Sequence, residues 1–166
     1  LPADRPAYIR QRSLAGAMAG RAELPLNMDS WDGYPAARER VFRAALDANA
    51  NLISLAGDTH NAWAFDLDHA GEKVGVEFGV QGVTSPGLES YASYLPVDVL
   101  ERETVAHNRQ LKWMDGSRRG YMAVELTPAN ASSEFRFVSS VREKGAGVND
   151  TRRVSTQAGS RALDMG

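Results

Sequence analysis

Apolar and polar positions along this chain switch between two spacings, and the switches predict its elements. Leu52, Ile53, Leu55 and Ala56 form a short, almost continuous apolar run, the pattern of a strand covered on both faces. Ala62 to Leu67 reads as a second strand and His69 to Lys73 as the polar turn after it. Through 74–83 the apolar residues Val74, Val76, Phe78 and Val80 fall at every second position, which predicts a strand with one apolar face. Glycines on its other face permit another backbone or layer to approach closely. Gly120 to Thr127 and Ser133 to Val141 alternate in the same way, and Pro128-Ala129-Asn130 between them makes an antiparallel hairpin.

Helical spacing takes over between these runs. Pro35 opens a helix over 36–48, where Ala37, Val41, Ala44, Ala45 and Ala48 make an apolar stripe and Glu39 can pair with Arg43 one turn on. Pro96 starts a second, short helix over 97–102. Near the beginning, Ile9, Leu14 and Met18 are spaced for a helix, but Gly16 and Gly20 each cost about 1 kcal/mol there relative to alanine. The expected organisation is a loosely structured lead-in over 1–26, an α/β portion over 27–141, and a flexible polar tail over 142–166.

Composition narrows the function classes. The 166 residues, 43% of them hydrophobic, suffice for one packed domain. A net charge of -2 gives no general reason to expect nucleic acid or an anionic membrane surface as partner. The absence of cysteine removes disulfides, thiolate nucleophiles and cysteine-based zinc sites from this chain. No run approaches the roughly 20 apolar residues of a membrane span. The opening residues are not a signal peptide, and a start at Leu1 is what a processed or excised piece would show.

Candidate chemistry gathers at the end of the first strand. Gly57 releases the backbone, and Asp58 and His60 follow two residues apart, so an extended chain would point both side chains to one side. Carboxylate and imidazole together suit iron, zinc or manganese, but the same pattern also describes an aspartate capping a turn beside a half-buried histidine. Asp29 and Asp32 flank Trp31 in an aromatic loop, as a further ligand, a substrate contact or a turn rich in side-chain hydrogen bonds. His69 reads as an exposed turn residue. His107, near Asn108 and Lys112, could meet a phosphate or metal-bound water, or simply precede a strand.

The order of these segments is more specific than any one of them. Asp29-Ser30-Trp31-Asp32-Gly33-Tyr34-Pro35 before an arginine-rich helix, a strand into Gly57-Asp58-Thr59-His60 with Trp63 beyond, then Val76-Glu77-Phe78 leading to Val83-Thr84-Ser85-Pro86-Gly87, resembles the C-terminal half of PhoD-like alkaline phosphatases. Asn108 to Lys112 and Arg119-Gly120-Tyr121 resemble that family's late segment.

The resemblance implies a metallophosphoesterase-like core: two sheets packed together between helices, with metals at the strand ends and a C-terminal hairpin. It implies hydrolysis of phosphate mono- and diesters with bound iron and calcium, in an exported protein of the periplasm or cell exterior. Asp58 and His60 match the family's late Gly-Asp-x-His ligand motif. Asp29, Trp31 and Tyr34 match the loop over the site, with Asp29 the additional contact. Asn61 and His107 are candidates for hydrogen bonds to phosphate or water. The family's early ligands, an Asp-centred set and a cysteine, belong upstream, so the implied partner is the N-terminal half of the same protein. A noncatalytic binding or structural module of the same fold is the alternative. A serine hydrolase is disfavoured by the lack of a Gly-x-Ser-x-Gly elbow.

Overall fold

The computed structural model of the protein describes residues 6–22 and 27–166. It divides into two compact units, Leu1–Ala44 and Ala45–Gly166. In the first, helix α1 spans Ala7–Arg21, which overturns the expected loose lead-in. The glycine cost is real, but Ala, Arg, Gln, Leu and Met fill much of the rest, and these are the strongest helix formers. Residues 1–5 and 23–26 of that lead-in, and the side chain of Ile9, lie outside the described residues. A 3-10 turn, Trp31–Gly33, precedes helix α2, Pro35–Asp47, which begins on its proline as expected. Arg43 pairs with Glu39 one turn back. Among the described residues no helix is long and apolar enough to cross a membrane.

The second unit is built on two sheets. Asn49, in the left-handed region at φ 49°, ends α2, and the Ala50 N–H donates to the Ala45 carbonyl at 2.9 Å. Strands β1 (Leu52–Ala56), β2 (Ala62–His69), β3 (Glu72–Gly79) and β4 (Leu111–Asp115) make a four-stranded sheet in the order β1-β3-β2-β4. The β1–β3 pair is parallel and the other two are antiparallel. The polar turn between β2 and β3 is shorter than expected: Ala70 and Gly71 alone turn the chain, both at positive φ. Gly75 meets the close approach foreseen for the β3 glycines, since a Cβ there would stand 1.9 Å from the Leu52 carbonyl oxygen. Short helix α3 (Leu88–Tyr91) and helix α4 (Val97–Ala106) connect β3 to β4, and α4 packs against β4.

Strand β1 differs from its sequence reading. Instead of being covered on both faces, none of its residues is fully buried and Leu55 is 54% exposed. It sits at the edge of its sheet, with β3 as its one partner there.

A second sheet holds β5 (Gly120–Leu126), β6 (Asn130–Val138) and β7 (Val148–Gln157), all antiparallel. The expected hairpin is β5–β6. The expected flexible tail is overturned, because ten of its residues form β7 and pair along the length of β6. Val154 is the one apolar residue in 149–157, so the strand carries almost no apolar alternation, yet Val154 and Thr156 are buried.

The two sheets share one core. Ala62, Ala64, Val76 and Phe78 from the first meet Ala131, Phe135, Phe137 and Val154 from the second. Trp113 stacks obliquely on Phe135, ring centres 4.9 Å apart. Gln81, just beyond β3 and 2% exposed, donates through Nε2 to the Arg136 carbonyl at 3.1 Å, stitching one sheet to the other.

One half-buried carboxylate makes this unit acid-sensitive. Burial pushes the Asp68 carboxyl up, but hydrogen bonds from Gln110 and Arg109 outweigh it and hold the pKa below the usual 3.8. A lowered carboxyl contributes stability that is present above the usual value and lost as pH falls through the lowered one. Asp68→Asn is therefore expected to be less stable than wild type at neutral pH, with the gap narrowing in acid. Urea unfolding at a series of pH values checks this, and a gap independent of pH contradicts it.

Candidate functional site

Sheet direction collects three loops at one end of the second unit. Strands β1 and β3 run toward it, β2 leaves from it, and β4 returns to it, because Ala62 pairs with Asp115 while Phe65 pairs with Leu111 at the other side. The loops are Gly57–Asn61, 80–87 and 116–119. They touch through backbone hydrogen bonds: Val80 N–H to Ala56 at 2.8 Å, Gly120 N–H to Gly82 at 3.1 Å, and Glu89 N–H to Gly116 at 3.2 Å.

The Asp58-Thr59-His60 turn is not the extended segment that its spacing suggested. Asp58 has φ 71° and His60 φ 63°, both in the left-handed region, and the Thr59 N–H folds back on the Gly57 carbonyl at 2.9 Å. Two non-glycine residues held this way cost on the order of 1–3 kcal/mol each. Strain of that kind persists only where neighbouring contacts enforce it, and here they are visible. Asn61 is 3% exposed, donates through Nδ2 to the Thr59 carbonyl at 2.6 Å and accepts the Leu88 N–H on Oδ1 at 2.9 Å. Trp63 donates its indole N–H to the Thr59 hydroxyl at 2.6 Å.

His60 is oriented by the neighbouring loop. Its Nδ1 lies 2.9 Å from the Pro86 carbonyl oxygen. A carbonyl only accepts, so Nδ1 carries a proton, and in the neutral ring Nε2 keeps its lone pair. A ring nitrogen donating to a carbonyl while the other faces a ligand is the usual arrangement of a metal-bound histidine. Asp58 is exposed, with its carboxylate available to solvent. These two side chains are of the donor types that a transition metal takes, and by donor type alone they suit the group the family resemblance implies. Among the described residues no three His, Asp or Glu side chains gather to hold a metal ion.

The other sequence candidates fall in different places. Asn61 belongs to the turn, but its amide is engaged by backbone groups at both ends. His107 is not brought to this end of the sheet. It caps α4 with its Nδ1 2.8 Å from the Glu103 carbonyl and leads into β4 at the opposite end, its side chain 77% exposed. His69 closes β2 at that same far end.

Asp29, Trp31 and Tyr34 belong to the first unit. The Asp29 N–H donates to Asn27 Oδ1 at 3.0 Å, and Asp32 pairs with Arg38. Trp31 and Tyr34 are exposed, by 51% and 58%. Gly33 allows the turn, since a Cβ there would lie 2.0 Å from the Met28 carbonyl oxygen.

Pro86, Gly87 and Arg119 entered the sequence reading only as parts of the family pattern, and Glu89 not at all, yet together they form the layer behind His60. Arg119 pairs with Glu89, whose Oε1 also accepts the Gly87 N–H at 3.3 Å. Pro86 stands 26 residues from His60 in the chain, and no local pattern marks such a contact.

Comparison with known proteins places this arrangement. Residues 7–135 match the family model described as PhoD-like phosphatase. Alkaline phosphatase D of Bacillus subtilis (strain 168) is 33% identical over 137 residues, covering 78% of this chain and 22% of that protein. A solved structure titled Structure of PhoD superposes with a TM-score of 0.66 at 27% identity, covering 82% of this chain and 26% of that one. The chain thus spans about a quarter of the length of these relatives. With its family match running through α1, both strands of the Asp58–His60 turn and most of β6, this mixed α/β chain belongs to the PhoD-like phosphatase family.

Proposed function

We propose that the chain is part of a metal-dependent phosphoesterase and supplies two donors of its metal site, the Asp58 carboxylate and His60 Nε2. The observation that carries this reading is the strained Asp58–His60 turn, with His60 turned by Pro86 so that Nε2 is the free nitrogen, inside the family-matched segment. Imidazole nitrogen suits iron, and carboxylate oxygen suits iron or calcium. Metal ions bound there would polarise a phosphoryl oxygen and generate a nucleophile at neutral pH. Asp58 and His60 hold position through their turn, while Asn61 ties that turn to α3. A metal site needs three or more ligands, so these two donors are part of a larger set. The metallophosphoesterase-like sandwich is the architecture we assign to the two facing sheets.

The test is turnover of a chromogenic phosphate monoester and diester by the full-length gene product, before and after chelation and with iron or calcium restored. Loss on chelation and recovery with metal supports the reading. Full activity in metal-free protein contradicts it.

A second reading, a noncatalytic module of the same fold, is favoured by the two-donor set among the described residues. No ester turnover by the metal-loaded full-length product would favour it.

A further inference from the structure

We infer that the Arg119–Glu89 ion pair is a positioning device for His60: it fixes the 86–89 segment so that the Pro86 carbonyl holds the Nδ1 proton and leaves Nε2 as the donor. Neither residue touches the candidate ligands. The inference rests on the metal-donor reading only for why Nε2 matters.

The contacts form a continuous path. Arg119 is nearly buried, with 11% of its side chain exposed, and its Nη1 donates to the Ser117 carbonyl at 2.7 Å while Nη2 pairs with Glu89. That anchors Glu89 from the loop following β4. Glu89 in turn accepts the Gly87 N–H through Oε1 at 3.3 Å, and its own N–H donates to the Gly116 carbonyl. Pro86 immediately precedes the glycine so held, and Leu88 immediately follows it with its N–H on Asn61. The segment therefore grips two neighbouring residues of the turn, His60 by a carbonyl and Asn61 by an amide.

Gly87 shows how little slack the path has. A Cβ at this position would stand 2.5 Å from Asn61 Oδ1, 2.9 Å from Glu89 Oε2 and 3.0 Å from the Gly116 carbonyl. Three oxygens from three segments close over this glycine, so displacing Glu89 moves the backbone that carries Pro86. Gly82 adds a second close approach, since a Cβ there would meet His60 Cβ at 3.4 Å. The left-handed His60 backbone resists relaxation only while these contacts last. An isolated carbonyl contact on a loop would fluctuate; an ion pair of limited exposure, backed by backbone hydrogen bonds, is screened less by solvent than an open surface pair.

Nitrogen-15 NMR of the histidine rings tests the device, at a pH where the rings are neutral. The chain has three histidines, His60, His69 and His107, so His60→Gln assigns the signals. Wild type is expected to show His60 with the proton on Nδ1. Arg119→Met is expected to shift it toward the Nε2–H form that an unconstrained histidine side chain prefers in water, and Arg119→Lys to retain part of the Nδ1–H population. Should Arg119→Met fail to fold, Glu89→Gln gives the same readout with an intermediate shift. An Nε2–H ring in wild type overturns the inference without any variant, as does an unchanged Nδ1–H ring in folded Arg119→Met. A general loss of packing would not select one ring, so His69 and His107 serve as internal controls. Metal content of full-length His60→Gln is measured separately: unchanged metal there removes the metal-donor reading while the positioning of His60 stands on its tautomer.

Discussion

Replacing His60 by Ala in the full-length gene product is expected to lower bound metal and phosphoesterase turnover together. Removing an outer partner of a metal ligand typically costs about 10–100-fold in affinity or activity, and removing the ligand itself should cost more. The substitution leaves the core untouched, because His60 lies on a loop outside the buried cluster. It keeps the Cα and Cβ that approach Gly82 and removes the Nδ1–H hydrogen bond to Pro86, so the stability loss should stay at about 0.5–1.5 kcal/mol. Metal analysis, ester turnover and a melting curve on one preparation make the distinction. Wild-type metal content and turnover would sink the donor assignment, and a large fall in melting temperature would point to a structural role instead.

Phe135→Ala carries the largest expected stability effect, about 3–5 kcal/mol, the usual loss for truncating a fully buried phenylalanine. Phe135 is 0% exposed and reaches from β6 into the cluster that Phe78, Val76 and the β2 alanines supply from the other sheet. Its ring also contacts Trp113 of β4. Truncation opens a cavity between two sheets whose backbones cannot both move inward without breaking their ladders, so little of the loss is recovered by collapse. Denaturant unfolding followed by near-ultraviolet dichroism reads the change at Trp113. A loss below about 1 kcal/mol would mean that the sheets do not share a tightly packed core.

Particular residues show what the sequence disclosed of this fold. Helix α2 and strand β3 were legible because Pro35 marks one start and Val74, Val76 and Phe78 keep a strict period on a buried face. Helix α1 was obscured by Gly16 and Gly20, whose local cost is outweighed along 15 residues. Strand β7 was hidden because a long polar strand gains its place from pairing with β6, a tertiary effect that hydrophobic spacing does not report.

The site was legible in part for the same kind of reason. The Asp58 and His60 pair stands in the sequence as a local pattern, but its geometry does not: the pair lies on a left-handed turn, which the assumption of an extended strand missed. His107 looked equivalent to His60 by residue type, and only strand register puts it at the other end of the sheet. The Pro86 carbonyl, which selects the His60 tautomer, is a backbone atom and leaves no compositional trace.

The central claim is that His60 donates through Nε2 and Asp58 through its carboxylate to a metal ion. A crystal structure of the metal-loaded full-length gene product, with anomalous scattering collected at the metal's absorption edge, tests it directly. The account predicts an anomalous peak within bonding distance of both His60 Nε2 and the Asp58 carboxylate, with Nδ1 still on the Pro86 carbonyl. A peak bound by other residues, with His60 and Asp58 facing solvent, would contradict it.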